Sequence, residues 1–184
     1  MIAVSHYIST EEYLSIERRS NVCHEYRYGL VYAMASGTDN HVRIAFNMLK
    51  IINNHLGDRS DCRFYSGNVK ANYADDVYYY LDAFVTCDSK DREDRYVKRH
   101  PKLIVEVLSS STKAFDADEK FEAYKKIDAL EEHILISQNE PYVQCYCRQS
   151  DGIWQATAYE NNEQVCLESI ELQFDILELY RGLD

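Results

Sequence analysis

Apolar and polar positions alternate along this chain in two recognisable periods. Short β-branched and aliphatic runs mark strands, and residues recurring at three and four mark helices. Ser9 or Thr10 opens a short helix to about Arg18. Cys23–Tyr28 and Leu30–Ala35 read as a hairpin about Arg27–Gly29. Gly37 and Thr38 open a longer helix to His55, with Val42, Ala45, Phe46, Leu49 and Ile52 on one face and Gly57 at its end. Asp61–Tyr65 and Val69–Tyr73 look like strands around Ser66-Gly67, and Tyr78–Cys87 (YYYLDAFVTC) like another. Lys102–Leu108 carries LIVEVL, the run expected of a buried strand. A helix follows, with N-cap candidates in Ser109–Thr112, acidic Asp116, Asp118 and Glu119 at its start, and Ala117, Phe121, Tyr124 and Ile127 facing the sheet. The strand Glu132–Ser137 comes next, parallel to Lys102–Leu108 because a strand–helix–strand unit crosses over within one sheet. Tyr142–Arg148, Trp154–Tyr159 and Gln164–Leu167 form a meander closed by a short helix at Asp175–Arg181. The order predicts a mixed α/β fold in one domain, 1–184.

Two carboxylates break this pattern. Glu106 sits inside LIVEVL and Asp82 inside the preceding strand, and a carboxylate in such a run is costly to bury unless protonated, paired or on a metal. If the two strands pair about the polar stretch Asp88–His100, a register symmetric about Asp94 sets residue 82 opposite residue 106. Directly opposite side chains share a sheet face, with Cβ atoms about 4.5–5.5 Å apart. Lys120 lies on the helix stripe that faces the same sheet, three residues after Ala117 and four before Tyr124. An ammonium aimed at two carboxylates is the constellation on which a functional reading rests. The plainer alternative is that each carboxylate has a structural cation and that Lys120 snorkels past the helix edge.

Charge narrows the choice of partner. The net charge is −11, and residues 115–184 carry all of the excess, with 16 acidic and 5 basic side chains. That is not the basic footprint of a strong nucleic-acid binder, so DNA would have to meet the N-terminal two thirds. There, Lys90, Arg92, Arg95, Lys98 and Arg99 offer phosphate contacts within what otherwise reads as a solvated loop. No run of 18 apolar residues appears, so no membrane partner is expected. The N-terminus lacks a cationic start followed by an apolar core, so no signal peptide is expected. Six cysteines without a CxxC pair suggest reduced, half-buried thiols and a cytoplasmic location.

The element order, an Asp on one strand and a Glu on the next resemble the PD-(D/E)XK nuclease superfamily. The stretches EYRYGLVYAMASGTDNHVRIAFNML (Glu25–Leu49), FYSGNVKANY (Phe64–Tyr73), YYYLDAFVTCD (Tyr78–Asp88) and KLIVEVLSSSTKAFDADEKFEAYKKI (Lys102–Ile127) are similar to those of the Uma-two family of restriction-endonuclease-like proteins, common in cyanobacteria. That resemblance implies a restriction-endonuclease-like core, helix–β–β–β–helix–β, with an extra N-terminal hairpin and a C-terminal meander. It also implies a divalent-metal phosphodiesterase acting on DNA as a homodimer. Asp82, Glu106 and the Val107 carbonyl would hold Mg²⁺ or Mn²⁺. The motif's usual lysine position is Leu108 here, and Lys120 on the following helix matches the family's displaced lysine. Leu81 stands where a proline usually precedes the aspartate. Glu25 and His41 are weaker candidates for the edge of the site; the plainer readings are an exposed strand residue and a capping or surface residue.

Overall fold

The computed structural model describes residues 7–34, 37–58, 61–74, 76–108 and 119–183. Helix α1 (Thr10–Glu17) is capped by Ser9, whose hydroxyl accepts the Glu12 N–H at 3.2 Å, and it buries Tyr13. Strands β1 (His24–Arg27) and β2 (Leu30–Ala33) pair across Tyr28-Gly29. Both turn residues have positive φ, 49° and 87°, the pairing that matches strand twist in a two-residue hairpin. Helix α2 (Asp39–Leu56) starts at Thr38, whose hydroxyl accepts the His41 N–H, and stops at Gly57, where φ is +56°.

The core face of α2 differs from the expected one. Ile44, Met48 and Ile52 are buried, with Ala45 and Leu49 packed beside them, whereas Val42 and Phe46 are 60% and 62% exposed. The helix carries two overlapping apolar stripes, and the tertiary packing selects one of them. Asn47 donates its side-chain amide to the Leu179 and Arg181 carbonyls at 2.8 and 3.1 Å, which sets the rotation.

Strands β3 (Arg63–Ser66), β4 (Lys70–Ala74), β5 (Val77–Tyr80), β6 (Ala83–Thr86), β7 (Val97–Lys98) and β8 (Pro101–Leu108) follow. After them come the short helix α3 (Phe121–Tyr124) and strands β9 (Glu132–Ser137), β10 (Tyr142–Arg148), β11 (Trp154–Glu160), β12 (Gln164–Leu167) and β13 (Leu172–Asp175). They build a five-stranded sheet ordered β2-β1-β5-β4-β7, a six-stranded sheet ordered β11-β10-β9-β8-β6-β3, and a β12-β13 hairpin. The expected strand Tyr78–Cys87 is thus two strands in two sheets, broken at Leu81-Asp82. The expected meander closes after β11. Beyond it Gln164–Leu167 pairs with β13, and a single 3₁₀ turn at Ile176–Glu178 replaces the closing helix. The N-cap candidates 109–112 and the acidic residues 116 and 118 lie outside the described residues.

β6 and β8 run antiparallel with Ala83 opposite Val105, Phe84 opposite Ile104 and Val85 opposite Leu103, which is the register symmetric about Asp94. β8 and β9 run parallel. β8 is buried on both faces: Leu103, Val105 and Val107 join the core under α2, and Ile104 joins a second core formed with Tyr79, Leu81, Phe84, Tyr124 and Leu130. Such two-sided burial explains its nearly continuous apolar run.

Cys62 and Cys87 form a disulfide, which corrects the expectation that every thiol is reduced. Arg63 pairs with Thr86 at the end of the β3–β6 ladder, so the next positions outward are Cys62 and Cys87. A spacing pattern cannot reveal a pair that register creates. The 88–100 segment beyond is no loose loop either. Buried Asp91 accepts from the Thr86 hydroxyl and from the Arg99 and His100 N–H groups at 2.7, 2.7 and 3.0 Å. Lys98 is buried and donates to the Asp91 and Asp94 carbonyls, so it does not reach phosphate.

Candidate active site

The break at Leu81-Asp82 places Asp82 where the chain passes from one sheet to the other. Its Oδ2 accepts the Val107 N–H at 2.7 Å, and its Oδ1 lies 2.8 Å from His41 Nε2. A carboxylate offers only acceptors, so Nε2 carries the hydrogen. His41 reaches this point because it sits in the first turn of α2. The start of that helix is tied down by Thr38, whose hydroxyl donates to Gln138 Oε1 at 2.8 Å.

Glu106, in the middle of β8, turns its carboxylate toward α3. Its Oε1 accepts from the Tyr124 hydroxyl at 2.8 Å and from Lys120 Nζ at 3.4 Å. Lys120 Nζ is also 3.1 Å from Glu25 Oε1 and 5.2 Å from the centre of the Tyr79 ring. The side chains of Glu25, Lys120 and Glu106 are 7%, 7% and 5% exposed. One ammonium therefore lies between two carboxylates, one from each sheet, with an aromatic face on a further side. Cation–π contact is worth more in such a desolvated place.

Burial, then the charges of Glu106 and Glu25 and the hydrogen bond to Glu106, hold the Tyr124 phenol far above its ordinary range. It stays an O–H donor that fixes the Glu106 carboxylate. Tyr79 is pushed up to about 12, chiefly by burial and against the pull of Arg27 and Lys120.

The geometry thus places five of the expected side chains in two contacting groups. Lys120 joins Glu106, and His41 joins Asp82. Glu25, expected at most at the edge, is buried against Lys120. The structure adds Tyr124 and Gln138. Tyr124 is legible in hindsight, since Lys120 and Tyr124 are four apart on one helical face. Gln138 carries no local signal. Behind α3, His133 is wholly buried against Phe121 and Tyr124.

Residues 10–178 match the Uma2 family, described as "putative restriction endonuclease". The chain belongs to this family. The chain is 36% identical to the uncharacterized protein slr1290 of Synechocystis over 96% of this chain and 93% of that one. It is 28% identical to the uncharacterized protein sll1609 of the same organism, over 97% and 99%. Its fold is that of a "putative nuclease belonging to DUF820" from Anabaena variabilis, with a TM-score of 0.77 at 17% identity over 94% of this chain and 97% of that one. No helix among the described residues is long and apolar enough to cross a membrane.

The Uma2 fold family implies a divalent metal, and the donor set of this chain fits one. Among the described residues, no three His, Cys, Asp or Glu side chains form a metal cage. Mg²⁺ seldom uses such a cage; it takes one or two carboxylates, keeps waters and binds substrate phosphate. Asp82, just before β6, and Glu106, in β8, are hard oxygen donors, and their neighbours Ala83 and Val105 are paired. The N–H and C=O of one strand residue leave on the same edge. Because the Val107 N–H meets Asp82, the Val107 carbonyl belongs to that edge too.

Proposed function

We propose that this Uma2 protein is a divalent-metal-dependent DNA endonuclease that hydrolyses phosphodiester bonds, acting as one domain and as a cytoplasmic homodimer. The observation that carries this reading is the buried Lys120–Glu106 contact at 3.4 Å on a β8 strand whose register pairs Val105 with Ala83, the residues next to Glu106 and Asp82.

Asp82, Glu106 and the Val107 carbonyl would hold Mg²⁺ or Mn²⁺. Bound there, the ion supplies polarisation of a phosphoryl oxygen and a lowered pKa for its water. The Val107 N–H and His41 orient the Asp82 carboxylate, and the Tyr124 hydroxyl orients Glu106. Lys120 is the cation of the site. Held at a fixed place by Glu25 from the other sheet, it stabilises negative charge that develops on the phosphate, and low exposure strengthens that effect. Glu25 acts as a positioning residue through Lys120.

A second reading rests on charge. A chain of −11 with its excess in residues 115–184, and with Lys98 committed to the fold, suits a nuclease-fold protein that binds a partner through an acidic surface without cutting. Incubation of the protein with single- and double-stranded DNA in Mg²⁺ or Mn²⁺ separates the two. The nuclease reading expects metal-dependent cleavage that Asp82→Ala and Glu106→Ala each abolish. Cleavage that survives in either variant, or no cleavage of any DNA by the folded protein, refutes it.

A further inference from the structure

Natural sheets guard their edges with short strands, lysines, prolines or bulges. Most edges of this protein are short. β2 and β3 have four residues each and β7 has two. β11 is different. It is the outer strand of the six-stranded sheet, seven residues long, and all seven pair with β10 without a bulge. Its outer edge pairs with no strand among the described residues. Trp154–Tyr159 contains no charge and no proline, and residues 155–158 are exposed.

We infer that β11 is the contact between two copies of this chain, paired antiparallel across a twofold axis at Thr157 to make one continuous twelve-stranded sheet. The interface this assigns belongs to the homodimer proposed above, but it does not depend on nuclease activity. A strand edge meeting itself about a twofold is self-complementary, as a closed dimer contact must be. The register centred on Thr157 uses all seven residues. It sets Thr157 against its own copy, Ala156 against Ala158, and Gln155 against Tyr159. Threonine pairs of this kind are favourable cross-strand neighbours.

Charge selects a second copy as the occupant. The one charged residue of β11, Glu160, falls opposite Trp154 of the other copy. On that copy Arg148 is the β10 partner of Trp154, with its guanidinium 5.9 Å from the indole ring centre. The carboxylate of each copy therefore approaches the cation of the other, twice per dimer, while the uncharged centre keeps two acidic chains from meeting charge to charge. Seven strand spacings separate the two β8 strands in such a dimer, about 34 Å at ~4.8 Å each, with the twist of the sheet accumulating between them.

The test is the mass of the intact protein in solution across a concentration series. Wild type is expected to dimerise. Thr157→Lys places like charges directly opposite each other and should leave a folded monomer whose melting temperature, unlike that of wild type, does not depend on protein concentration. Thr157→Cys should cross-link the dimer under mild oxidation, and Ala158→Cys should not, because residue 158 meets 156. A wild type that stays monomeric overturns the inference. So does a dimer that Thr157→Lys leaves intact, or one in which Ala158→Cys cross-links as readily as Thr157→Cys. Each result stands whether or not the protein cuts DNA.

Discussion

Lys120→Met is the substitution that asks most of the site. In the native protein the ammonium is 3.1 Å from Glu25 and 3.4 Å from Glu106, and all three side chains are at most 7% exposed. Removing one partner of a buried ion pair costs about 3–5 kcal/mol, because an uncompensated charge stays behind. Here two carboxylates stay behind. For a chain of this length each kcal/mol moves the melting temperature by about 2–4 °C, so a loss of about 6–20 °C is expected in metal-free protein near neutral pH. The loss should shrink toward pH 4, where carboxyl groups ordinarily take up protons. Adding Glu25→Gln to Lys120→Met should recover much of it, with a coupling of about 1–3 kcal/mol between the two positions. Thermal melts of the two single variants and the double variant form the complete cycle. A cost below about 1 kcal/mol for Lys120→Met, the value of an exposed pair, would refute the idea that the lysine holds the buried carboxylates together.

Glu106→Gln should behave in the opposite way. It leaves one ammonium with one carboxylate and keeps an acceptor for Tyr124, so it should melt at or above wild type without metal and lose the stabilisation that Mg²⁺ confers on wild type by mass action. A lower melt at every pH, with a wild type that ignores divalent ions, would leave Glu106 as an ion-pair partner only. His133 sets a pH dependence. Burial first, then the charge of Lys120, lowers its pKa to about 3, and among the described residues neither ring nitrogen has a hydrogen-bond partner. Below the unfolded value near 6.5 the unfolded chain takes up a proton that the native ring refuses. Stability is therefore complete above that pH and falls by up to about 1.4 kcal/mol per unit as pH drops toward 3. Denaturant melts of His133→Phe should lose this slope, and an unchanged slope would exonerate His133. Finally, the Cys62–Cys87 bond spans 25 residues, so reduction should cost about 3–4 kcal/mol. Alkylation of unreduced, denatured protein should label four of the six cysteines, and labelling of all six would show that the bond is absent.

The parts of this site that could be read from the chain are those written in local patterns. Glu106 stood out because a carboxylate interrupts LIVEVL, and the register that pairs Ala83 with Val105 followed from the symmetry of two apolar runs about one polar stretch. Lys120 followed from helical spacing. What could not be read depends on choices made between distant segments. Nothing in YYYLDAFVTC marks Leu81-Asp82 as a passage from one sheet to another, since both halves are buried and apolar. The two stripes of α2 compete on equal terms until Asn47 finds the carbonyls of residues 179 and 181. Cys62 and Cys87 meet only because β3 and β6 pair in one register. Glu25 looked like a surface residue because its partner Lys120 lies 95 positions away along the chain.

The Glu25–Lys120–Glu106 contact also works as a clasp. β1 belongs to one sheet and β8 to the other, and a single ammonium binds a carboxylate from each. On the nuclease reading, a descendant without cleavage activity would still be held to this trio by the demands of folding. The Asp82–His41 pair is under less restraint: both side chains are about one-fifth exposed, and losing them leaves no deeply buried charge alone. If the proposed nuclease function holds, divergence should wear away positions 82 and 41 first, and their loss, rather than loss of the clasp, should mark a Uma2 relative without cleavage activity.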